Sequence, residues 1–595
     1  MKRTPIRRPL AIWWWCVALA TASSFGLAMT SFPAYLAKPG QDPFTASTLL
    51  DSLYRSLQMF VLNWETRPQP IPPLLQIARF LAAFVALSTV ILALYQLFRE
   101  RVGLLLLRRS RNHVVLCGLG PRGVELVADL RGQGRKVVVI EGREDHPDLV
   151  SCRNLGATVL IGSPADPRVL AQARVDRAGA LLSLFQEDAD SIETLMRACR
   201  LDGQRAQGPL RCILQIFDHE LRLLLDRHEI FKNQRTPVQL ELFNLFDIGA
   251  QVMLRESPAL FRQGEPRRLL IVGMGWLGQM LLQRVLRAWQ IDRLAKQQEK
   301  AQGRPEPTGL GWKLETLEVI VVDRDCRDLE SRLAAHGLMP QEGCTLTIRE
   351  MDVQGNEFLA GKFVTHQDTG NTIDAAFVCL PDDRLALLTA VRLRDRFGPT
   401  LPLVVRMTSR RGGAELLTSQ ALEGVHVVGL HDLACTMSLV TNATTEMIAR
   451  EIHRDYVLDQ FAHGQTAQTN SALVPWHLLD DGLKESNRQA AADIDAKLRA
   501  IGCEKYPVKT IETLFAFTEK EVELLARGEH ERWCEERHRA GWQFGPVKDV
   551  EKKVTPFLVS FENLPDGTKE SNRTAVRRIP VWLAKAGFGI RRLAT

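Results

Sequence analysis

Residues 112–145 read NHVVLCGLGPRGVELVADLRGQGRKVVVIEGRED. His113 to Cys117 reads as a buried strand and Val124 to Leu130 as a helix, with Gly118, Gly120 and Gly123 forming G-x-G-x-x-G at the junction. Glycine is needed there because the chain turns tightly, the backbone must come close to a phosphate, and the helix must pack on the strand. The helix N-terminus then turns unpaired N–H groups towards that phosphate, and Arg122 inside the loop can meet it. A second strand, Lys136 to Ile140, ends at Glu141, where a ribose-binding carboxylate belongs. Glycines alone are weak evidence. Strand, glycines, helix, strand and acid in that order describe a βαβ unit that holds a dinucleotide.

The same order of parts returns downstream. RRLLIVGMGWLGQMLLQRVL (267–286) carries Gly273, Gly275 and Gly278, and EVIVVDRD (318–325) ends its second strand at Asp323. IREMDVQG (348–355) places Asp352 where the first copy has Asp166, and DAAFVCLPDD (374–383) repeats the fourth strand with an acidic loop. This copy carries a polar insertion, about 292–313, before its second strand. The second loop holds Trp276 and Leu277 where the first holds Pro121 and Arg122, so the first is the stronger candidate for a phosphate on sequence grounds. The expected fold class is α/β: an N-terminal transmembrane helical hairpin, two Rossmann-like doubly wound parallel sheets, and a mainly helical C-terminal part.

The 595 residues are 45% hydrophobic and 24% charged, which is the composition of folded domains. The net charge of +7 comes without a basic stripe or recognition motif, so no nucleic-acid partner is expected. The eleven cysteines are scattered with no C-x-x-C, so neither disulfide framework nor metal site is expected. Much of the positive charge sits at Lys2, Arg3, Arg7 and Arg8 and at Arg99, Arg101, Arg108, Arg109 and Arg111. These clusters flank two uncharged segments, Pro9 to Ala37 and Phe80 to Phe98, each near the roughly 20 apolar residues a span needs. A secretory signal is the alternative for the first, but its apolar run is long and lacks a clean cleavage site. Basic residues before the first span and after the second place both ends in the cytoplasm.

Between the spans, TASTLLDSLYRSLQMFVLNWE (45–65) sets Leu49, Leu50, Leu53, Leu57, Phe60 and Val61 at helical spacing. Thr45 or Ser47 caps this helix, and Pro68, Pro70, Pro72 and Pro73 end it. Span, short helix, extended stretch and span is the layout of a two-span channel subunit, with Asn63 and Glu65 as pore candidates. The alternative is a helix lying on the outer leaflet. The loop contains no glycine, so the backbone filter of a potassium channel, and potassium selectivity, do not follow.

Residues 156–194, GATVLIGSPADPRVLAQARVDRAGALLSLFQEDADSIET, extend the first unit with a Gly162-to-Asp166 turn and an acidic loop, Glu187 to Asp190. The unit resembles the Trk-type nucleotide-binding, or regulator-of-conductance (RCK), domain of potassium-transport regulators. That resemblance implies NAD(H) or another adenine nucleotide as ligand, held at Gly118, Gly120, Arg122, Gly123, Glu141 and Asp166, and at Gly273, Gly275, Gly278, Asp323 and Asp352. Two spans per subunit cannot enclose an ion path alone, so in the channel reading a homo-oligomer is expected, with a tetramer favoured. A catalytic His, Lys or Tyr set beside a nicotinamide is not found, so the chain is not expected to be an enzyme.

Finally, DGLKESNR (481–488) returns as DGTKESNR (566–573), and Leu473 to Cys503 matches Leu558 to Phe588 at 14 of 31 positions without a gap. The order His530, Trp533, Gly541-Trp542, Gly545, Pro556, Leu564, Asn572 resembles the repeat domain of ryanodine receptors (RyR). The upstream copy is eroded: His453 and Tyr456 stand for His530 and Trp533, and it has no Gly-Trp. In this module His530, Trp533, Trp542 and Arg573 are ligand candidates, with aromatic packing as the plainer reading of the same residues.

The expected units are thus 1–110 (hairpin), 111–260 and 261–440 (sensor units), and 441–503 and 504–595 (repeats). Together they suggest a nucleotide-gated ion channel subunit of the bacterial inner membrane, and the resemblance to bacterial fusions of such domains implies a signalling nucleotide of a stress or antiviral response. The second reading is a non-conducting, membrane-anchored regulator of a cation transporter.

Overall fold

A computed structural model of the chain describes residues 8–36, 42, 44–63, 70–120, 123–185, 187–200, 208–218, 221–222, 224–225, 238–255, 268–303, 316–335, 340, 343–364, 373–409, 425–430, 443–508, 511–547, 549 and 551–593. For 8–12, 95–104, 106, 255 and 443 only the backbone is described.

Three helices open the chain: α1 (Arg8–Leu36), α2 (Ala46–Phe60) and α3 (Pro73–Leu107). Within them Trp13–Leu36 and Pro73–Leu94 are long and apolar enough to cross a membrane. Thr45 caps α2 through the Thr48 N–H. This helix folds back on the loop end of the hairpin, where Met59 and Phe60 meet Tyr35, Leu36 and Leu75. Its buried face is not the leucine stripe. Ser52 and Ser56 are buried, while Leu50, Leu53 and Leu57 are exposed. Both serine hydroxyls donate to carbonyls one turn back, so these small side chains allow close helix approach with no polar group unmet. The stretch α3 continues as one helix past its apolar part to Leu107, which is buried in the core of the first sheet. The Arg177 guanidinium donating to the Arg108 carbonyl, and Lys136 to the Ser110 hydroxyl, tie the junction to that sheet.

The first unit runs β1 (His113–Cys117), α4 (Gly123–Gly132), β2 (Val137–Glu141), α5 (Leu149–Asn154), β3 (Thr158–Ile161), α6 (Pro167–Gln172), β4 (Ala178–Ser183), α7 (Asp188–Arg200), β5 (Leu210–Gln215), β6 (Val238–Phe243) and α8 (Leu245–Arg255). All its strands are parallel, in the order β3-β2-β1-β4-β5-β6. The second unit runs β7 (Arg268–Val272), α9 (Trp276–Ala301), β8 (Leu317–Asp323), α10 (Leu329–Ala335), β9 (Cys344–Glu350), β10 (Ala375–Val378), α11 (Asp383–Phe397), β11 (Leu403–Met407) and β12 (Val425–Gly429). Its order, β12-β11-β10-β7-β8-β9, is the same topology traced from the other edge. Both sheets therefore reverse direction beside their first strand, and a ligand crevice opens at that point. The units are joined by α8, whose Ala250, Val252 and Met253 are buried in the core of the second. At Gly249 an added Cβ would lie 2.4 Å from Leu430, so only glycine permits that approach.

The first part of the polar insertion is helical: residues 292–301 are the end of α9, and Asp292 is wholly buried. Tertiary packing against the C-terminal module extends the helix there. Residues 304–315 lie outside the described residues.

That module runs α12 (Ala443–Ala462), α13 (Asp481–Ala500), β13 (Cys503–Pro507), α14 (Glu519–Arg539), the short strands β14 (Gln543–Phe544) and β15 (Val554–Thr555), α15 (Asp566–Lys585) and β16 (Phe588–Arg592). Helix, loop, helix and strand occur twice, and the two strands pair antiparallel, Tyr506 opposite Gly589. Equivalent bonds recur: His453 to the Val474 carbonyl and His530 to the Val559 carbonyl, Arg488 to Glu446 and Arg573 to Glu523. The repeat read from the sequence is a structural repeat.

Candidate functional site

The two glycine loops share one architecture. Gly118 (φ +73°) and Gly273 (φ +96°) take backbone angles that side chains rarely adopt. The third glycine of each motif lies against the loop itself: an added Cβ would come 2.4 Å from Leu119 at Gly123 and 1.9 Å from the Gly273 carbonyl at Gly278. The carboxylate ending each second strand turns under its loop. Glu141 accepts from the Leu119 N–H (2.9 Å) and the Arg143 N–H (3.1 Å). Asp323 accepts from the Met274 N–H (2.5 Å) and the Asp325 N–H (3.0 Å). Both acids thus brace the loop, and their remaining lone pairs are what a ribose hydroxyl could use.

Asp166 and Asp352 are also turn formers. Asp166 caps α6 by accepting the Arg168 N–H, and Asp352 accepts the Gln354 N–H. Arg122 lies outside the described residues. Beside the first loop the Phe185 ring sits so close to Gly118 that a Cβ there would lie 2.8 Å from it.

The second loop opens into a cleft of about 1200 Å³. Gly273, Gly275, Asp323 and Asp352 all line it, so the structure brings the second copy's candidates together, Gly278 excepted, which packs behind the loop. The N-terminus of α9 faces this space with no side-chain cap, and a Cβ on Gly275 would meet nothing within 4 Å. The first turn of a 26-residue helix thus presents its N–H groups to an open cleft, as phosphate binding requires.

Sequence reasoning missed several lining residues. Arg324 and Arg327 on the β8–α10 connection and Arg332 in α10 line the cleft, with Arg327 paired to Asp325 at 3.0 Å. The closely spaced arginines of that connection were readable as a signal. Phe217 and Asp218 come from the first unit, and the Phe217 ring lies 6.3 Å from Trp276. No local pattern announces that contact. A cleft is described at the second loop, while Pro121 and Arg122 of the first lie outside the described residues.

In the terminal module, His530 is buried, with its ring bonded to the Val559 carbonyl at 2.7 Å. Trp533 and Trp542 are both met by one cation. The Arg537 guanidinium stands 5.4 Å from one ring and 5.0 Å from the other. Arg573 is held by Glu523 (2.7 Å) and Glu570 (3.3 Å), and these carboxylates raise its pKa. Its guanidinium is turned to one carboxylate of its own helix and one of α14 rather than presented free to an anion. Asn63 is exposed just past α2, and Glu65 lies outside the described residues.

Two family models match parts of the chain. The family model of the TrkA-N domain matches residues 114–227, and that of the RyR domain matches residues 507–592. Among solved structures, GsuK bound to ADP is 14% identical, covers 73% of this chain and 99% of its own, and has a TM-score of 0.35. The GsuK channel bound to NAD is 12% identical over 88% of this chain and 91% of its own, also at 0.35. These structural likenesses are too distant to bear on function.

Proposed function

We propose that the chain is a nucleotide-responsive subunit of an oligomeric ion channel, anchored by α1 and α3 with both termini cytoplasmic. The observation that carries this reading is the continuity of its rigid parts. The helix α3 runs from the apolar span into the first sheet's core, and the cleft joins the first unit to the second. From that cleft α9 runs about 39 Å, at 1.5 Å per residue, to the terminal module.

The ligand is an adenine nucleotide or NAD(H), with its phosphates at the N-terminus of α9 and its ribose at Asp323. A nucleotide that binds closed and open arrangements with different affinity shifts their balance, and only by that difference. Four hairpins around an axis would enclose the path that two spans cannot. The order of domains fits a role in stress or antiviral nucleotide signalling. The glycine-free loop of residues 45–73 favours a second reading, a non-conducting anchored regulator of a cation transporter.

Bilayer conductance of the purified chain, with and without ATP, ADP, NAD and NADH, tests this. Gly275→Asp puts a charge where a phosphate must sit but meets no atom of the fold, and Asp is a good N-cap. The variant should fold as the wild type and lose its nucleotide response. Nucleotide binding without conductance would leave the anchored regulator. Absence of nucleotide binding would remove both readings.

A further inference from the structure

A second cavity, of about 430 Å³, lies in the terminal module away from the cleft and away from Trp533 and Trp542. It falls within the roughly 300–1000 Å³ of small-molecule sites. The rings of Tyr506, Phe515 and Phe588 line it, together with Glu512, Thr513 and Pro580. Gly589 makes room: a Cβ there would lie 3.0 Å from the Tyr506 ring and from Val508. Each ring already carries a cation of the protein, Arg591 at 5.2 Å from Tyr506, Arg592 at 5.4 Å from Phe515, and Lys505 at 5.7 Å from Phe588.

Those cations are themselves paired. Arg591 meets Glu504, Arg592 meets Glu521 at 2.7 Å, and Lys505 meets Asp495 at 2.8 Å. The one charged lining residue is Glu512, exposed and without an ion pair among the described residues. Among the described residues the walls therefore offer polarised aromatic faces, a hydroxyl and a carboxylate acceptor, and no unpaired cation for a phosphate. A ring with a cation on one face favours an electron-rich partner on the other. A free carboxylate accepts from hydroxyl or amino donors.

We propose that this cavity binds a purine nucleoside, its base stacked among Tyr506, Phe515 and Phe588 and its ribose hydroxyls donating to Glu512. The site is not an isolated one. Val508, Ile511 and Ala584 line it and also pack on Ile291 and Ala295 of α9, and Gln290 donates to the Ile511 carbonyl at 2.8 Å. A bound nucleoside would brace the 511–515 segment against the helix whose other end opens in the nucleotide cleft.

Calorimetric titration of the detergent-solubilised full chain with adenosine, guanosine, cytidine and the corresponding triphosphates tests the proposal. Saturable purine nucleoside binding is expected, stronger at this site than that of the triphosphate. Phe515→Ala should weaken it about tenfold or more, the usual scale for loss of a stacking ring. Glu512 is exposed, so Glu512→Gln should keep the fold and still weaken the nucleoside, and it decides the matter if Phe515→Ala does not fold. Gly275→Asp should leave nucleoside binding unchanged. No saturable binding at ~1 mM ligand, or binding indifferent to both cavity variants, overturns the proposal. Loss of the nucleoside signal in Gly275→Asp would place the ligand in the cleft, which overturns this site and spares the cleft reading.

Discussion

A buried ion pair joins α9 to the terminal module beside the apolar contacts there, and breaking it should have a distinctive signature. Asp292 of α9 is wholly buried, Lys585 of α15 is 2% exposed, and their charges lie 2.8 Å apart off hydrogen-bond geometry. Ile291, Ala295, Val581 and Ala584 surround them, so no solvent replaces a missing partner. Removing one member of such a pair strands the other charge in an apolar place, at a cost of about 3–5 kcal/mol. Replacing both by apolar residues of similar volume is near neutral or stabilising, because neither charge must be desolvated. Lys585→Met and Asp292→Leu should therefore each lower the stability of the module by about 3–5 kcal/mol, whereas the double variant should return to within ~1 kcal/mol of wild type. A chain of several units does not unfold in one step. The measurement is accordingly calorimetry of the transition that contains the terminal module, with the hairpin kept in detergent. Singles that cost under ~1 kcal/mol, or a double that simply adds the two losses, would show the pair to be solvated and the α9–α15 contact wrongly drawn.

Three further outcomes follow from the geometry. The Asn-Arg positions of the two repeats should respond differently: Arg488→Ala leaves Glu446, 4% exposed, short of a partner and should cost about 1.5–3 kcal/mol, whereas Arg573→Ala exposes only the half-solvated Glu523 and should cost about 1 kcal/mol or less in the same melts. Gly278→Ala drives a Cβ to 1.9 Å from the Gly273 carbonyl, so thermal shift should report a loss of about 1–3 kcal/mol together with lost nucleotide binding, in contrast to the stable Gly275→Asp. Burial holds the His453 and His113 imidazoles below their ordinary pKa, the Val474 and Ala173 carbonyls opposing in part. Because the folded values lie below the unfolded one, their stabilisation is full above about pH 6.5 and is lost as pH falls through the folded values; His453→Gln should flatten that acid limb in melts taken between about pH 5 and 8.

Much of the architecture was legible in the chain because the signals are local. The strands around Val114–Leu116 and Leu270–Val272 are apolar runs buried on both faces, and the glycines follow them at fixed spacing for steric reasons that act within a few residues. The repeat was legible too, since its His453/His530 and Arg488/Arg573 bonds recur with the sequence. Other features were decided by partners distant in sequence. The leucine stripe of α2 told of a helix but not of its packed side, which close approach to α1 and α3 awards to Ser52 and Ser56. The polar insertion that begins at Asp292 gave no sign that Lys585, nearly three hundred residues on, pairs with that aspartate inside a packed interface. The cleft at the second loop is the sharpest case. Both loops carry the glycines and the acid, but only folding brings Phe217 beside Trp276 and sets Arg324, Arg327 and Arg332 along one cleft. Backbone turns and periodicities are written by neighbours along the chain, whereas an open space belongs to surfaces that meet only when the units pack.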